Sequence, residues 1–218
     1  MHFVKELISL NRSFFAESGT VKSMIKYKGG KMKKFLILSL IVMIILLPAC
    51  KRAKTPTETP IQEIEDTILL SSPAFNNLEK IPVKYTGYGE DVSPSLQWSN
   101  IPSETQSFAI VMDDPAAWPS TFTHWIIFNI PVTKSSFPEG IPHDVTLQDG
   151  SKQGKNDFGK IGYNGCRPPS GQTHDYVFTI YALDKVLDLE GGVSIQKFLQ
   201  AINGHILAKG TLIGFYGD

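Results

Sequence analysis

Three runs constrain this chain more than any other feature: Phe108–Met112, Trp125–Ile130 and Tyr176–Leu183. Each is short, rich in β-branched and aromatic residues, and almost free of polar interruption. A surface strand alternates apolar with polar; a run of this kind belongs to a strand covered on both faces. Ile68–Leu70, Val83–Tyr85 and Leu96–Trp98 are further strand candidates, and Pro, Gly, Asn and Asp punctuate the intervals. Most intervals are too short for a helical crossover, so the pairing is expected to be antiparallel. One helix is predicted near the C-terminus: Ile195, Phe198, Leu199, Ile202 and Ile206 recur at helical spacing after Ser194, a suitable N-cap, with Gly210 as the stop and Thr211–Tyr216 returning as a strand. The fold class is mainly β, a β-sandwich or large sheet with peripheral helices. Residues 67–218 supply about 150 residues, enough for one core, and contain no internal repeat.

The formal net charge of zero conceals an asymmetry. Residues 1–49 carry eight Lys/Arg against two Asp/Glu, and residues 50–218 carry thirteen against nineteen, so a +6 leader precedes a −6 body. A mildly acidic body without a basic stripe argues against nucleic acid as a partner.

Residues 32–49 read as a secretory signal: Met32, Lys33 and Lys34, an apolar run from Phe35 to Leu47, then Pro48-Ala49 before Cys50. The run falls short of the roughly 20 residues a spanning helix requires. Leu47-Pro48-Ala49-Cys50 resembles the bacterial lipobox, whose cysteine is acylated, palmitate being one such chain. An uncleaved anchor is the alternative, and both readings put the body outside the cytoplasm at a membrane. Residues 1–31 are long for an n-region, and Met32 makes a conventional start. The only other cysteine is Cys166, so acylation of Cys50 leaves it no intrachain partner; a Cys50–Cys166 disulfide is the competing expectation. Residues 50–66 form the lipidated cysteine and a polar tether broken by Pro56 and Pro60, with a coil reach of about 20–25 Å. The expected location is the cell envelope, lipid-anchored; Lys51 after the cysteine favours the outer membrane in a Gram-negative host.

Chemistry-bearing residues gather where the buried strands end. Asp113-Asp114-Pro115 follows the first run, His124 opens the second, and Gly162–Asp175 forms a Gly/Pro-rich loop containing Pro168-Pro169 and His174 ahead of Tyr176. Singly, these residues suit turns, a strand-end histidine and a stiff loop. Together, a carboxylate, two imidazoles and loop backbone groups can hold an anion. His143 and His205 belong to neither group: His143 lies in a loop and His205 is expected on the C-terminal helix as a structural histidine. Trp98 and Trp125 are expected in the core, and Trp118 exposed beside Pro119.

These segments are similar to the phosphatidylethanolamine-binding protein family in its bacterial Raf kinase inhibitor-like branch. The matching residues are Asp114-Pro115, His124-Trp125 leading into Ile126–Pro131, Asn156-Asp157-Phe158-Gly159, Gly162-Tyr163, Pro168-Pro169, His174, Tyr176-Val177-Phe178 and Tyr181–Asp184, with Ser72–Phe75, Val92–Trp98 and Gly204–Ala208 on either side. The resemblance implies a central antiparallel sheet packed on a smaller one, and a pocket for phosphate-like anions or phospholipid headgroups at Asp114, His124, Pro168, His174 and Tyr176. It departs at Ala116, where relatives often have a second acidic residue, and at Arg167, ahead of the Pro-Pro pair. The expected function is a membrane-tethered, noncatalytic binding module. The alternatives are an inhibitor or modulator of a kinase or protease acting through the pocket rim, and, third, a hydrolase built on the His/Asp cluster. No nucleophile is identifiable, and no cofactor or catalytic residue is called for. A metal held by His124, His174 and Asp114 is conceivable.

Overall fold

The computed structural model describes residues 65–218. The leader, the signal residues 32–49, Cys50 and most of the tether lie outside them. Within the described residues the chain is mainly β, as expected. Ten strands run in the order β1 (Glu65–Asp66), β2 (Leu69–Ser71), β3 (Glu79–Lys80), β4 (Leu96–Ser99), β5 (Ser107–Asp114), β6 (Phe122–Pro131), β7 (Ser136–Phe137), β8 (Lys152–Gln153), β9 (Thr173–Leu183) and β10 (Ile206–Gly217), with one helix, α1 (Ile195–Ile202), between the last two. The larger sheet has the order β1-β10-β9-β5-β6-β8, with β3 also on β10; the smaller is β2-β4-β7. The long strands β10, β9, β5 and β6 pair antiparallel, while the short β1 and β3 pair parallel with β10.

The continuous apolar runs are the central strands, and they are covered on both sides. Phe108, Ile110 and Met112 of β5 join Trp98, Trp125, Phe178 and Ile180 in the core between the two sheets. Ala109 and Val111 point the other way, to a second cluster with Ile126, Phe128, Phe198 and Ile202, where α1 covers the large sheet. Hydrophobic burial on two faces is what such a run gains and an alternating strand cannot.

Three local expectations are corrected. Val83–Tyr85 is a turn of 3-10 helix, closed by hydrogen bonds from Tyr85 N to Pro82 O and Thr86 N to Val83 O. Its apolar residues pack from a turn, with Tyr85 buried and Val83 exposed. The helix begins where Ser194 caps Lys197 N but ends at Ile202, well before Gly210. Gly210 instead lies within β10, where a Cβ would collide with the carbonyl of Ile68. His205 therefore lies off the helix, in the turn before β10, with Nδ1 donating to Asp184 Oδ1 at 2.9 Å. Among the described residues no helix is long and apolar enough to cross a membrane.

Candidate functional site

One face of the large sheet is set by strand parity. Asp114, in step with Met112 and Ile110, turns to the face shared by the core between the sheets, and its neighbour Asp113 turns to the other. Asp113 accepts from Thr123 Oγ1 at 2.7 Å in a separate cavity lined also by Asp157, Tyr181 and Leu199. Burial there pushes the Asp113 carboxyl up, with Asp157 adding to the shift. It does not stand in for the acidic residue absent at Ala116.

His124 reaches the face of Asp114 through a β-bulge. Met112 pairs with Trp125 and Asp113 with Thr123, leaving His124 as the extra residue of β6. Strict alternation would send His124 with Ile126 and Phe128 toward the helix; the bulge re-aims it beside Asp114. On β9 the buried positions alternate as His174, Tyr176, Phe178, so both site residues of that strand share the inner face.

These placements enclose a cavity of about 300 Å³. Its walls are Asp114, His124, His174 and Gln172, the proline pair Pro168-Pro169 with Arg167, and an apolar side of Ala116, Ala117, Trp118, Phe122 and Phe158. Trp118 is 92% exposed at the rim, as expected. Four of the five predicted site residues line this cavity. Tyr176 does not: it is fully buried, with its ring 5.3 Å from that of His124 and 6.5 Å from that of His174. Among the described residues its hydroxyl has no hydrogen-bond partner, and burial drives its pKa up, with the Cys166 thiol and Asp114 adding to the shift. It supports the two imidazoles from within the core.

The polar atoms are firmly committed. His174 Nδ1 donates to Asp114 Oδ2 at 2.7 Å, and its Nε2 lies 3.0 Å from the Gln172 side-chain oxygen. The other carboxylate oxygen of Asp114 accepts from Ala116 N and Ala117 N at 2.9 and 3.1 Å. His124 Nδ1 donates to the Asn164 carbonyl at 2.8 Å, which fixes its tautomer and leaves Nε2 for an occupant. Burial lowers the His124 pKa, against the Asn164 carbonyl and the Asp114 charge, which raise it.

That carbonyl is held by Asp91, which no sequence pattern singles out, and by Asn156, which is named in the sequence only within a matching motif. Asp91 accepts from Gly165 N at 2.6 Å and from Asn164 Nδ2 at 3.2 Å, and Asn156 Nδ2 donates to Asn164 Oδ1 at 2.9 Å. Asp91 adopts φ 57°, the left-handed region that Asp tolerates better than most residues. Gly89-Glu90-Asp91 reads as an ordinary turn, so Asp91 carried no legible signal; Gln172 stood inside a recognised loop without a distinguishing spacing. Cys166 is a buried free thiol whose pKa is raised by burial, and it is not part of the cavity wall. Among the described residues no group of three His, Cys, Asp or Glu side chains is arranged to hold a metal ion.

Comparisons with known proteins agree with this architecture. The family model described as Phosphatidylethanolamine-binding protein matches residues 71–217. A UPF0098 protein of Methanothermobacter thermautotrophicus is 48% identical over 147 residues, 67% of this chain and 97% of its own length. YbhB of Escherichia coli, also a UPF0098 protein, is 35% identical over 146 residues, 63% of this chain and 92% of its own. Among solved structures, a putative phosphatidylethanolamine-binding protein homologue of Chlamydia trachomatis, CT736, superposes with a TM-score of 0.63 at 36% identity, covering 71% of this chain and 99% of that one. Escherichia coli YbcL, described as a new member of the mammalian PEBP family, gives 0.66 at 31% identity, covering 70% and 99%. The two relatives of Methanothermobacter and Chlamydia consist almost wholly of the region they share with this chain, and the described residues fall within one compact unit.

Proposed function

The chain belongs to the phosphatidylethanolamine-binding protein family, and on that premise we propose that it is a noncatalytic binding module for a small phosphate-bearing or anionic group. The observation that carries the proposal is the convergence of Asp114, His124 and His174 on one cavity, with each imidazole held by its Nδ1 to an acceptor. Such an arrangement holds an anion through Nε2–H of the protonated rings and offers the Asp114 carboxylate to an ammonium group, which suits a zwitterion such as phosphoethanolamine. It is less suited to turnover, because the one thiol nearby is buried with a raised pKa. In this proposal Cys50 carries lipid and holds the domain outside the cytoplasm at a membrane, following the sequence pattern of residues 32–50.

The test is an NMR titration of residues 60–218 with phosphoethanolamine, following the ring signals of both histidines. Saturable shifts are expected at His124 and His174, and His124→Ala or His174→Ala should weaken binding by tenfold or more, about 1.4 kcal/mol. Absence of saturable binding would refute the proposal. Mass spectrometry of the full chain from bacterial membranes tests the lipid on Cys50 separately.

A second reading, an inhibitor or modulator that offers its pocket rim to a kinase or protease, is favoured by Trp118 and Phe158. Both line the cavity, and they are 92% and 44% exposed, an unusual display of large rings beside a polar site. Membrane pull-downs with and without Trp118→Ser discriminate it from small-ligand binding.

A further inference from the structure

The cavity walls are poor in hydrogen-bond donors. Pro168 and Pro169 have no N–H. The Ala116 and Ala117 N–H groups are taken by Asp114, and Gly165 N by Asp91. His124 donates its Nδ1 proton to Asn164, and burial disfavours a second proton on the ring, so its Nε2 becomes a donor only when the charge of an anion draws one in. Asp114 adds a negative charge to the same wall. An anion entering here meets one permanently positive side chain among the lining residues, Arg167.

Arg167 is not an idle surface cation. Its stem packs against Gly87, where a Cβ would lie 3.3 Å from Arg167 Cδ. Its guanidinium carbon stands 5.6 Å from the centre of the Tyr88 ring. Tyr88 is fixed in turn: its hydroxyl donates to Pro168 O at 2.9 Å, and its ring stacks on Tyr216 at 6.0 Å, with Lys80 5.4 Å from the far ring. Among the described residues no carboxylate lies in salt-bridge range of Arg167. A guanidinium held on an aromatic face, without a carboxylate partner, at the mouth of a donor-poor cavity retains its full fork of N–H groups for a ligand.

We infer that Arg167 is a specificity-determining residue, docked on Tyr88 and bridging to the outer oxygens of the anion, and that the preferred ligand is a phosphomonoester rather than the phosphodiester of an intact phospholipid. A monoester presents three non-ester oxygens, one each for Arg167, His124 and His174, and at neutral pH a second charge. At His174 an incoming oxygen displaces Gln172, whose amide can turn its own N–H to the anion. A diester has two free oxygens and a single charge, so one of the three groups goes unused. The inference rests on the anion-pocket reading above.

The test is calorimetric titration of residues 60–218 and its variants with phosphoethanolamine and with glycerophosphoethanolamine, at two salt concentrations. The unaltered domain should prefer the monoester. Arg167→Ala should lower monoester affinity about 10- to 100-fold, the diester much less, and flatten the salt dependence. Arg167→Lys, which keeps charge but not the fork, should fall between. Tyr88→Leu should lower the monoester-to-diester ratio in the same direction by a smaller factor, and Tyr88→Phe, which keeps the ring, should largely restore it. A ratio unchanged in Arg167→Ala, in a domain that still binds and melts normally, overturns the inference and leaves the pocket reading standing. Failure of the unaltered domain to bind either ester overturns the pocket reading itself.

Discussion

His124 shows how a single residue couples the site to stability. Its ring is 3% exposed, and burial holds its pKa below the ordinary imidazole value of about 6.5. The unfolded chain therefore binds a proton more readily than the native one between the two values. Stability from this group is complete above about pH 6.5 and is lost as pH falls through the window beneath it. Urea midpoints measured from pH 7.5 down to 5 should decline, and His124→Gln should flatten that part of the slope. An equally steep decline in the variant would assign the loss to other groups. The identity of this residue was legible in the sequence, as were Asp114, Pro168 and His174. Which ring nitrogen is free was not, because that depends on the Asn164 carbonyl, forty positions away, held in place by Asp91 and Asn156.

At the scale of elements, the strand runs were read correctly where burial on two faces made them continuous, and the boundaries failed where a contact from elsewhere decided them. The last strand is the clearest case. Gly210 looks like a helix stop because glycine often ends helices, yet it is there so that Ile68 can pass against β10. Ile68 N donates to Lys209 O at 3.0 Å, so the two backbones lie in direct contact. Gly210→Ala must push them apart, and a loss of about 2 kcal/mol or more is expected in urea unfolding. A variant as stable as the parent would mean that β10 yields at this point. Similarly, Val83–Tyr85 has strand-like residues but takes a 3-10 turn, because Pro82 and the backbone bonds closing on it leave no partner strand.

Over the whole domain, two cores share one sheet: a large cluster between the sheets, and a smaller one beneath α1. The site sits at the end of the larger cluster, and Cys166 is buried within it. Its thiol should therefore be a reporter of global opening. In residues 60–218, Cys166 should resist an aromatic disulfide reagent in native buffer and react stoichiometrically in denaturant, with native labelling slowed by several orders of magnitude. Fast native labelling would mean that the loop from Gly162 to Pro169 opens by itself. A resistant thiol would bring the rigidity of the core up to the cavity wall.

The amino-acid sequence by itself determined the class of fold, the central strands, the start of the helix and most of the residues that meet at the cavity. These are written in local pattern: continuous apolar runs, a capping serine, and motifs kept in order along the chain. Tertiary structure alone decided that His124 bulges to the side of Asp114, that Asp113 faces away, that Tyr176 supports the imidazoles without reaching the cavity, and that Arg167 rests on Tyr88. The reason is physical. Alternation tells which residues share a face only while pairing is regular, and a bulge or a loop carbonyl is fixed by the partner strand and the packing around it, information that no short stretch of sequence contains.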